Sequence, residues 1–334
     1  PASMRAVRVH SPGGPDALVL DLLPWPQPGP GEVRVRAEVI GVGRPDVLIR
    51  QGTYKWMPPL PATPGAELVG HIDAVGAGVE RACIGQRVLV SARELPQRGG
   101  CYAEALCVPA EAPFALPDAV DAADAASLPN VQLALALLRN AGGQPVRSIL
   151  VPGVAGGVGT ALTQVAHARG IQVIGTARSE AKAAFARAAG VHTLVPADPT
   201  VLAEAVRQAT GGQGVDMAFD HLGGAWLTAC LHALAPLGTL VSYNLVLGLP
   251  PQETLREMRA LLGRSLALRT FSMHTYDEWP DQRRALMHEA IALMADGRIR
   301  LPPATRLPLT DVRRAHALLD AGDLLGKLVL TPMP

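Results

Sequence analysis

The sequence is short of cysteine, of net charge and of long apolar runs, and each shortage removes a class of protein. Its four cysteines (Cys83, Cys101, Cys107 and Cys230) are scattered and form no C-x-x-C pair. That argues against a disulfide framework, and they read instead as small buried hydrophobes of a cytosolic protein. Thirty Lys and Arg face 29 Asp and Glu, for a formal charge of +1. No basic run is longer than a pair, so the chain carries no nucleic-acid footprint. No apolar stretch reaches the ~18 residues of a membrane span, and the N-terminus lacks the apolar core of a signal peptide. The opening Pro1-Ala2-Ser3 before Met4 reads as a cloning remnant and is left out of fold reasoning.

What remains is a folded chain, with 49% hydrophobic and 18% charged residues over 334 positions. That length suggests two domains, each able to bury its own core. From Met4 to about Asp124, short alternating strands ("MRAVRVH", "EVRVRAEVIGV", "RVLV") are punctuated by Pro and Gly, with no long helical period. This half reads as a curled sheet or partial barrel. Near residue 125 the texture changes to strands alternating with helices of about a dozen residues: "SILVPG", Gly157 to Arg169, "IQVIGTA", "SEAKAAFARAAG", and onward to "TLVSYN". Such alternation means βαβ units and a parallel sheet. The last seventy or so residues are mixed, with a helix near Trp279 to Asp296, a strand near "RLPLT", a helix from Asp311 to Ala321 and "GKLVL" as a closing strand. Both ends of the chain are therefore expected to build one domain (4–124 with 265–334) around an inserted one (125–264). No internal repeat is visible.

The residues Gly153, Val154, Ala155, Gly156, Gly157, Val158 and Gly159 follow a strand at once and open a helix. A dinucleotide fingerprint needs this setting: a tight turn, close backbone approach to a diphosphate, and helix N-terminal N–H groups aimed at its charge. Val154 occupies the place of the first glycine, while Gly156 and Gly159 fill the second and third. An Asp or Glu about 20 residues on would grip the 2′-hydroxyl of NAD. Here "IQVIGTA" ends at Ala177, and Arg178, Ser179 and Lys182 follow, which suits the 2′-phosphate of NADPH. The plainer alternative is that both cations are solvated and Ser179 caps the next helix; Ser179 could do both.

The order of "GVGRPDVLIRQGTY", "PATPGAELVGHIDAVGAGV", "GQRV", "GGCYAEALCVPA", "VPGVAGGVGTALTQVA", "GTARSEAK", "GGQGVDMAFDHLGG", "LAPLGTLVS" and "GKLVL" resembles the medium-chain dehydrogenase/reductase superfamily. Within it the chain is similar to the zinc-free quinone oxidoreductase branch. The resemblance covers nearly the whole chain. It implies a Rossmann-type doubly wound parallel sheet inserted in a β-rich GroES-like catalytic domain, NADPH as cofactor and a homodimer. The zinc branch carries a Cys at Gly43 and a His at Ala66, neither of which can ligate a metal here, and the four-cysteine lobe has shrunk to Ser91–Arg98. The expected enzyme therefore binds no zinc. Without a Lewis acid, alkoxide formation has little support, whereas a quinone or α,β-unsaturated carbonyl absorbs a hydride as an enolate.

The resemblance also implies that Tyr54 borders the active site, where it donates to the carbonyl or is only a packing aromatic. Trp56 and Met57 are expected as an apolar wall for a hydrophobic substrate, and Asn244 and Lys327 as cofactor contacts. Three departures stand out: the family's usual Asn, Thr and Tyr are Gly43, Ala134 and Pro196 here. They leave open a protein that binds NADPH with little turnover, acting in structure or sensing, and an enoyl-thioester reductase as a variant of the enzyme reading.

Overall fold

The computed structural model describes residues 3–332. In chain order it contains β1 (Ser3–Val9), β2 (Leu18–Pro24), β3 (Glu32–Val42), α1 (Arg44–Gln51), β4 (Glu67–Val75), β5 (Arg87–Ser91), β6 (Ala105–Pro109), β7 (Phe114–Ala115), α2 (Ala122–Ala125) and α3 (Leu128–Leu138). The middle of the chain runs β8 (Ser148–Val151), α4 (Gly157–Ala168), β9 (Gln172–Thr176), α5 (Glu180–Ala188), β10 (Thr193–Val195), α6 (Leu202–Ala209), β11 (Val215–Asp220), α7 (Gly224–His232) and β12 (Leu234–Ser242). It closes with α8 (Thr254–Ala260), β13 (Ala267–Thr270), α9 (Pro280–Ala295), β14 (Thr305–Pro308), α10 (Val312–Ala321) and β15 (Leu328–Thr331). Pro1 and Ala2 of the presumed remnant lie outside the described residues, but Ser3 belongs to β1 and pairs with Pro24.

Two compact units divide the chain, one of residues 1–129 with 303–334 and one of residues 130–302. In the first, β3 is the spine. Its alternate residues Val33, Val35 and Ala37 enter the core, the period-2 signature of a half-buried strand, and beyond a register shift Ile40 and Val42 do so. One edge of β3 pairs with β4; the other is shared, β6 taking Glu32–Arg36 and β15 taking Ile40–Val42. The β3–β4 register shifts twice, and a Cβ on Gly70 would stand 2.0 Å from Arg36 O. Only glycine allows the backbones to approach that closely as the sheet curls. Leu68, Val88, Val90, Tyr102, Leu328 and Leu330 complete the core. The short helix α1 escapes a search for long helical periods, although Pro45 opens it and Gly52 (φ +74) ends it as capping rules require.

In the second unit six parallel strands lie in the order β10-β9-β8-β11-β12-β13. This is the doubly wound order in which connectivity reverses between the first and fourth strands of the sheet. β8 is buried at every residue and β11 at all but one, which is why both read as apolar runs. The domain boundary expected at 265 moves to 303. β13 pairs in parallel with β12, Thr239 with Ala267 through Ser242 with Thr270, so it is the sixth strand of this sheet rather than part of the tail. α9 belongs to the same unit, with Leu286, Met287, Ala290, Ile291 and Met294 buried at helical spacing.

Candidate functional site

The glycine loop is tied to the sheet through its backbone. Gly153 N donates to Thr176 Oγ1 at 3.0 Å and Val154 N to Thr176 O at 3.1 Å, fixing the loop to the end of β9. Gly153 lies at φ +61, a conformation that disfavours any side chain. Val154 replaces the fingerprint's first glycine because its buried side chain fills a notch on the next strand. A Cβ on Gly175 would come within 2.5 Å of Val154 Cγ1. Gly159 seats α4 on the loop, since a Cβ there would stand 2.5 Å from Val154 O. Gly156 is the N-cap of α4 and offers no side-chain cap, and a Cβ on it would meet only Gly153 O, at 3.5 Å. The first turn of α4 therefore presents the N–H groups of Gly157 and Val158 over an unobstructed glycine. These residues fit the diphosphate of a dinucleotide.

At the neighbouring strand end no carboxylate follows Thr176. Arg178 is exposed and Lys182 half-buried, and neither joins an ion pair among the described residues. Ser179 Oγ accepts from Lys182 N at 3.2 Å and so caps α5. Two cations outside any ion pair among the described residues, beside a capped helix, suit a 2′-phosphate. Asn244 follows β12 in an exposed turn, its Oδ1 accepting from Leu245 N at 2.8 Å. Ala134 is wholly buried within α3.

Three residues near this loop escape a motif search. Asn130 Nδ2 lies 2.8 Å from where a Cβ on Gly157 would stand. Asp220, buried at the end of β11, accepts from Leu222 N at 2.9 Å and Gly223 N at 3.0 Å. Burial pushes its carboxyl up to about 6 in spite of those two donors. His221 lies between Asp220 and Leu222 in the chain, with its ring against Gly153. The "AFDHLGG" stretch carries the only local signal, a carboxylate and glycines closing a buried strand.

In the first unit, Gly43 and Ala66 carry no ligating atoms, and among the described residues no group of three or more His, Cys, Asp or Glu is placed to hold a metal. The segments bearing them are joined by Asp46 instead, which accepts from Gly43 N at 3.0 Å and Gly65 N at 2.8 Å. Tyr102 Oη lies 3.2 Å from Asp46 Oδ2 and 2.9 Å from His316 Nε2. Arg50 lies 2.9 Å from His316 Nδ1, and it reaches Asp320 at 2.8 Å. A guanidinium can only donate, so His316 Nδ1 accepts and its Nε2 carries the proton. The bonds then run one way, from Arg50 through His316 and Tyr102 to Asp46. Burial, with Glu67 adding negative charge, pushes Asp46 up to about 7. Burial, with the Arg50 charge adding to it, pushes His316 down to about 4.

Lys327 Nζ lies 2.6 Å from Glu67 Oε1, and both side chains are almost fully buried. The structure thus engages Lys327 in an ion pair inside its own unit. Tyr54, half-buried, follows α1 in a turn where Tyr54 N donates to Leu48 O and Met57 N to Tyr54 O. Its ring meets Trp56 edge-on at 5.8 Å, and Lys55 Nζ stands 5.4 Å from the Trp56 ring. Tyr54, exposed Trp56 and half-buried Met57 therefore share one turn. Among the cysteines only Cys101 and Cys230 are buried; all four are free thiols.

Comparison with known proteins agrees with this geometry. Residues 29–118 match the alcohol dehydrogenase GroES-like domain and residues 157–289 the zinc-binding dehydrogenase domain. A quinone oxidoreductase of Pseudomonas aeruginosa is 33% identical over 96% of this chain and 97% of its own length. A 2-haloacrylate reductase of a Burkholderia species is 29% identical over 98% of both chains. A mycobacterial protein solved in complex with NADPH is 33% identical, with a TM-score of 0.86 over 98% of this chain and all of its own. With a GroES-like unit, a doubly wound nucleotide unit and no ligating atom at Gly43 or Ala66, the chain belongs to the medium-chain dehydrogenase/reductase superfamily, in its zinc-free quinone oxidoreductase branch.

Proposed function

We propose that this protein is an NADPH-dependent oxidoreductase that reduces a quinone or an α,β-unsaturated carbonyl without a metal. The observation that carries this is the uncapped glycine cradle of α4 beside Arg178 and Lys182, with no carboxylate at the end of β9. When bound, NADPH supplies the hydride. The chain's own residues do the rest. Gly156, Gly157 and Val158 hold the diphosphate by backbone, with Gly153, Ala155 and Gly159 shaping the loop and Val154 anchoring it. Arg178, Ser179 and Lys182 select the 2′-phosphate, and Asn244 adds a polar contact.

The acceptor has to be electron-poor, because Gly43 and Ala66 offer no ligand for a Lewis acid. Relatives named quinone oxidoreductase and 2-haloacrylate reductase support an acceptor whose double bond is conjugated to a carbonyl. Tyr54 Oη gives a proton or hydrogen bond to the developing enolate oxygen, and Trp56 and Met57 form an apolar wall for the acceptor. The working form is a homodimer. β13 leaves an open sheet edge with Ala267, Arg269 and Thr270 exposed, the kind of edge that pairing with a second copy covers.

The test is NADPH consumption over a panel of quinones and enones, before and after dialysis against a chelator. Turnover unchanged by the chelator, and a Tyr54→Phe variant with lower kcat but unaltered NADPH affinity, are the expected results. Tight NADPH binding with no consumption across the panel overturns the enzyme reading in favour of a binding protein.

A further inference from the structure

The loop that holds the diphosphate is made of Gly, Val and Ala alone. It offers backbone N–H groups and no side-chain donor. We propose that His221 supplies the missing one: its imidazole donates a hydrogen bond to the diphosphate of the dinucleotide seated on the glycine loop. The assignment rests on the NADPH reading above.

Three observations converge on it. The first is location. β8 and β11 are neighbours in the sheet, and connectivity reverses between them. In open parallel sheets ligands bind outside the carboxyl ends of the strands at this reversal. The glycine loop leaves the end of β8 and His221 leaves the end of β11, so both stand at it. The second is approach. A Cβ on Gly153 would lie 3.0 Å from His221 Cε1 and 3.5 Å from His221 Nε2. The Cε1–Nε2 edge of the ring therefore occupies room that any side chain at the loop's first glycine would take.

The third is fixity. Asp220 accepts from Leu222 N and Gly223 N, clamping the turn on both sides of His221. Behind the turn, Val246 N donates to His221 O and Leu247 N to Leu222 O. The Tyr243 ring lies 6.0 Å from the imidazole at 38°. A side chain held by its backbone and flanked by a second ring pays little ordering entropy when a ligand arrives. With its proton on Nε2, the nitrogen of the edge that faces Gly153, the imidazole is a donor toward the loop.

The diphosphate is common to NADPH and NADH, which separates this contact from those made to the 2′-phosphate. The full-length wild type and variants are titrated with each nucleotide, following nicotinamide fluorescence, and their unfolding is compared without nucleotide. His221→Phe keeps a ring of similar size and removes the N–H. It should bind both nucleotides about three- to tenfold more weakly, the worth of one hydrogen bond. His221→Gln restores a donor and should stay within threefold of wild type. His221→Asn, too short to reach, gives the same reading as Phe should the larger ring disturb folding.

Loss confined to NADPH, a Phe variant within threefold of wild type, or a Gln variant as weak as Phe overturns the assignment and leaves the cofactor reading standing. A wild-type chain that binds neither nucleotide overturns both.

Discussion

In the β-rich unit, Arg50, His316, Tyr102 and Asp46 direct their hydrogen bonds at one another, and Lys327 and Glu67 do the same. Around the glycine loop the reverse holds: α4 begins without a side-chain cap, and Arg178 and Lys182 have no ionic partner among the described residues. A buried polar group left unsatisfied is costly, so the first arrangement stabilises a fold and has little to offer a ligand. The second leaves donors at a surface where water serves until a phosphate arrives. Polar residues alone therefore do not mark a binding region; the direction of their bonds does.

The comparison is tested hardest at Lys327. Lys327→Met leaves Glu67 buried without its cation and should lower unfolding stability by about 3–5 kcal/mol, measured in denaturant. Replacing both partners, Lys327→Met with Glu67→Gln, should recover most of that loss. Lower NADPH affinity in the folded double variant would give Lys327 the cofactor role that the family resemblance implies. A single variant as stable as wild type would break the view that this pair is structural.

Next in size is the pH response of the directed chain. Asp46, raised to about 7, takes up its proton in the folded state first, so it adds stability as pH falls from 7 toward 4. His316, lowered to about 4, resists the proton that the unfolded chain accepts near 6.5, so it removes stability over nearly the same window. The two offset each other. Asp46→Asn deletes the gain and leaves the loss, about 1.4 kcal/mol per pH unit. Urea unfolding at pH 6.5, 5.5 and 4.5 should show the variant steadily weakening while this pair leaves the wild type nearly flat. A variant as flat as wild type would mean His316 is not held neutral.

The smallest effect sharpens the other side of the comparison. Arg178→Ala removes one charge-assisted bond and should weaken NADPH by about ten- to a hundredfold. NADH affinity and unfolding stability should stay unchanged, since Arg178 is exposed. Equal loss for both nucleotides would move Arg178 away from the 2′-phosphate.

How far the sequence revealed these regions follows the same division. The parallel strands and the glycine loop were legible because a buried strand reads as an apolar run and a phosphate turn is local, spanning Gly153 to Gly159. β13 was not: it is four residues long with three of them exposed, so only its pairing with β12 makes it a strand, and the domain boundary slipped with it. Asp46, Tyr102 and His316 form a chain across 270 residues of sequence separation, and no spacing rule joins positions so far apart. His221 lay inside a recognised stretch, but its relation to Gly153 depends on two strands being adjacent.

The divided edge of β3 sets an order of events during synthesis. The nucleotide unit is one continuous segment, 130–302, and is complete as soon as it clears the ribosome. The β-rich unit cannot finish its sheet until β15 emerges to cover Ile40–Val42, almost three hundred residues after β3. Its half-built edge waits exposed throughout that interval, an aggregation hazard that chaperones exist to shield. A chain truncated after residue 302 should therefore protect its nucleotide segment from protease while its first hundred residues are still cut.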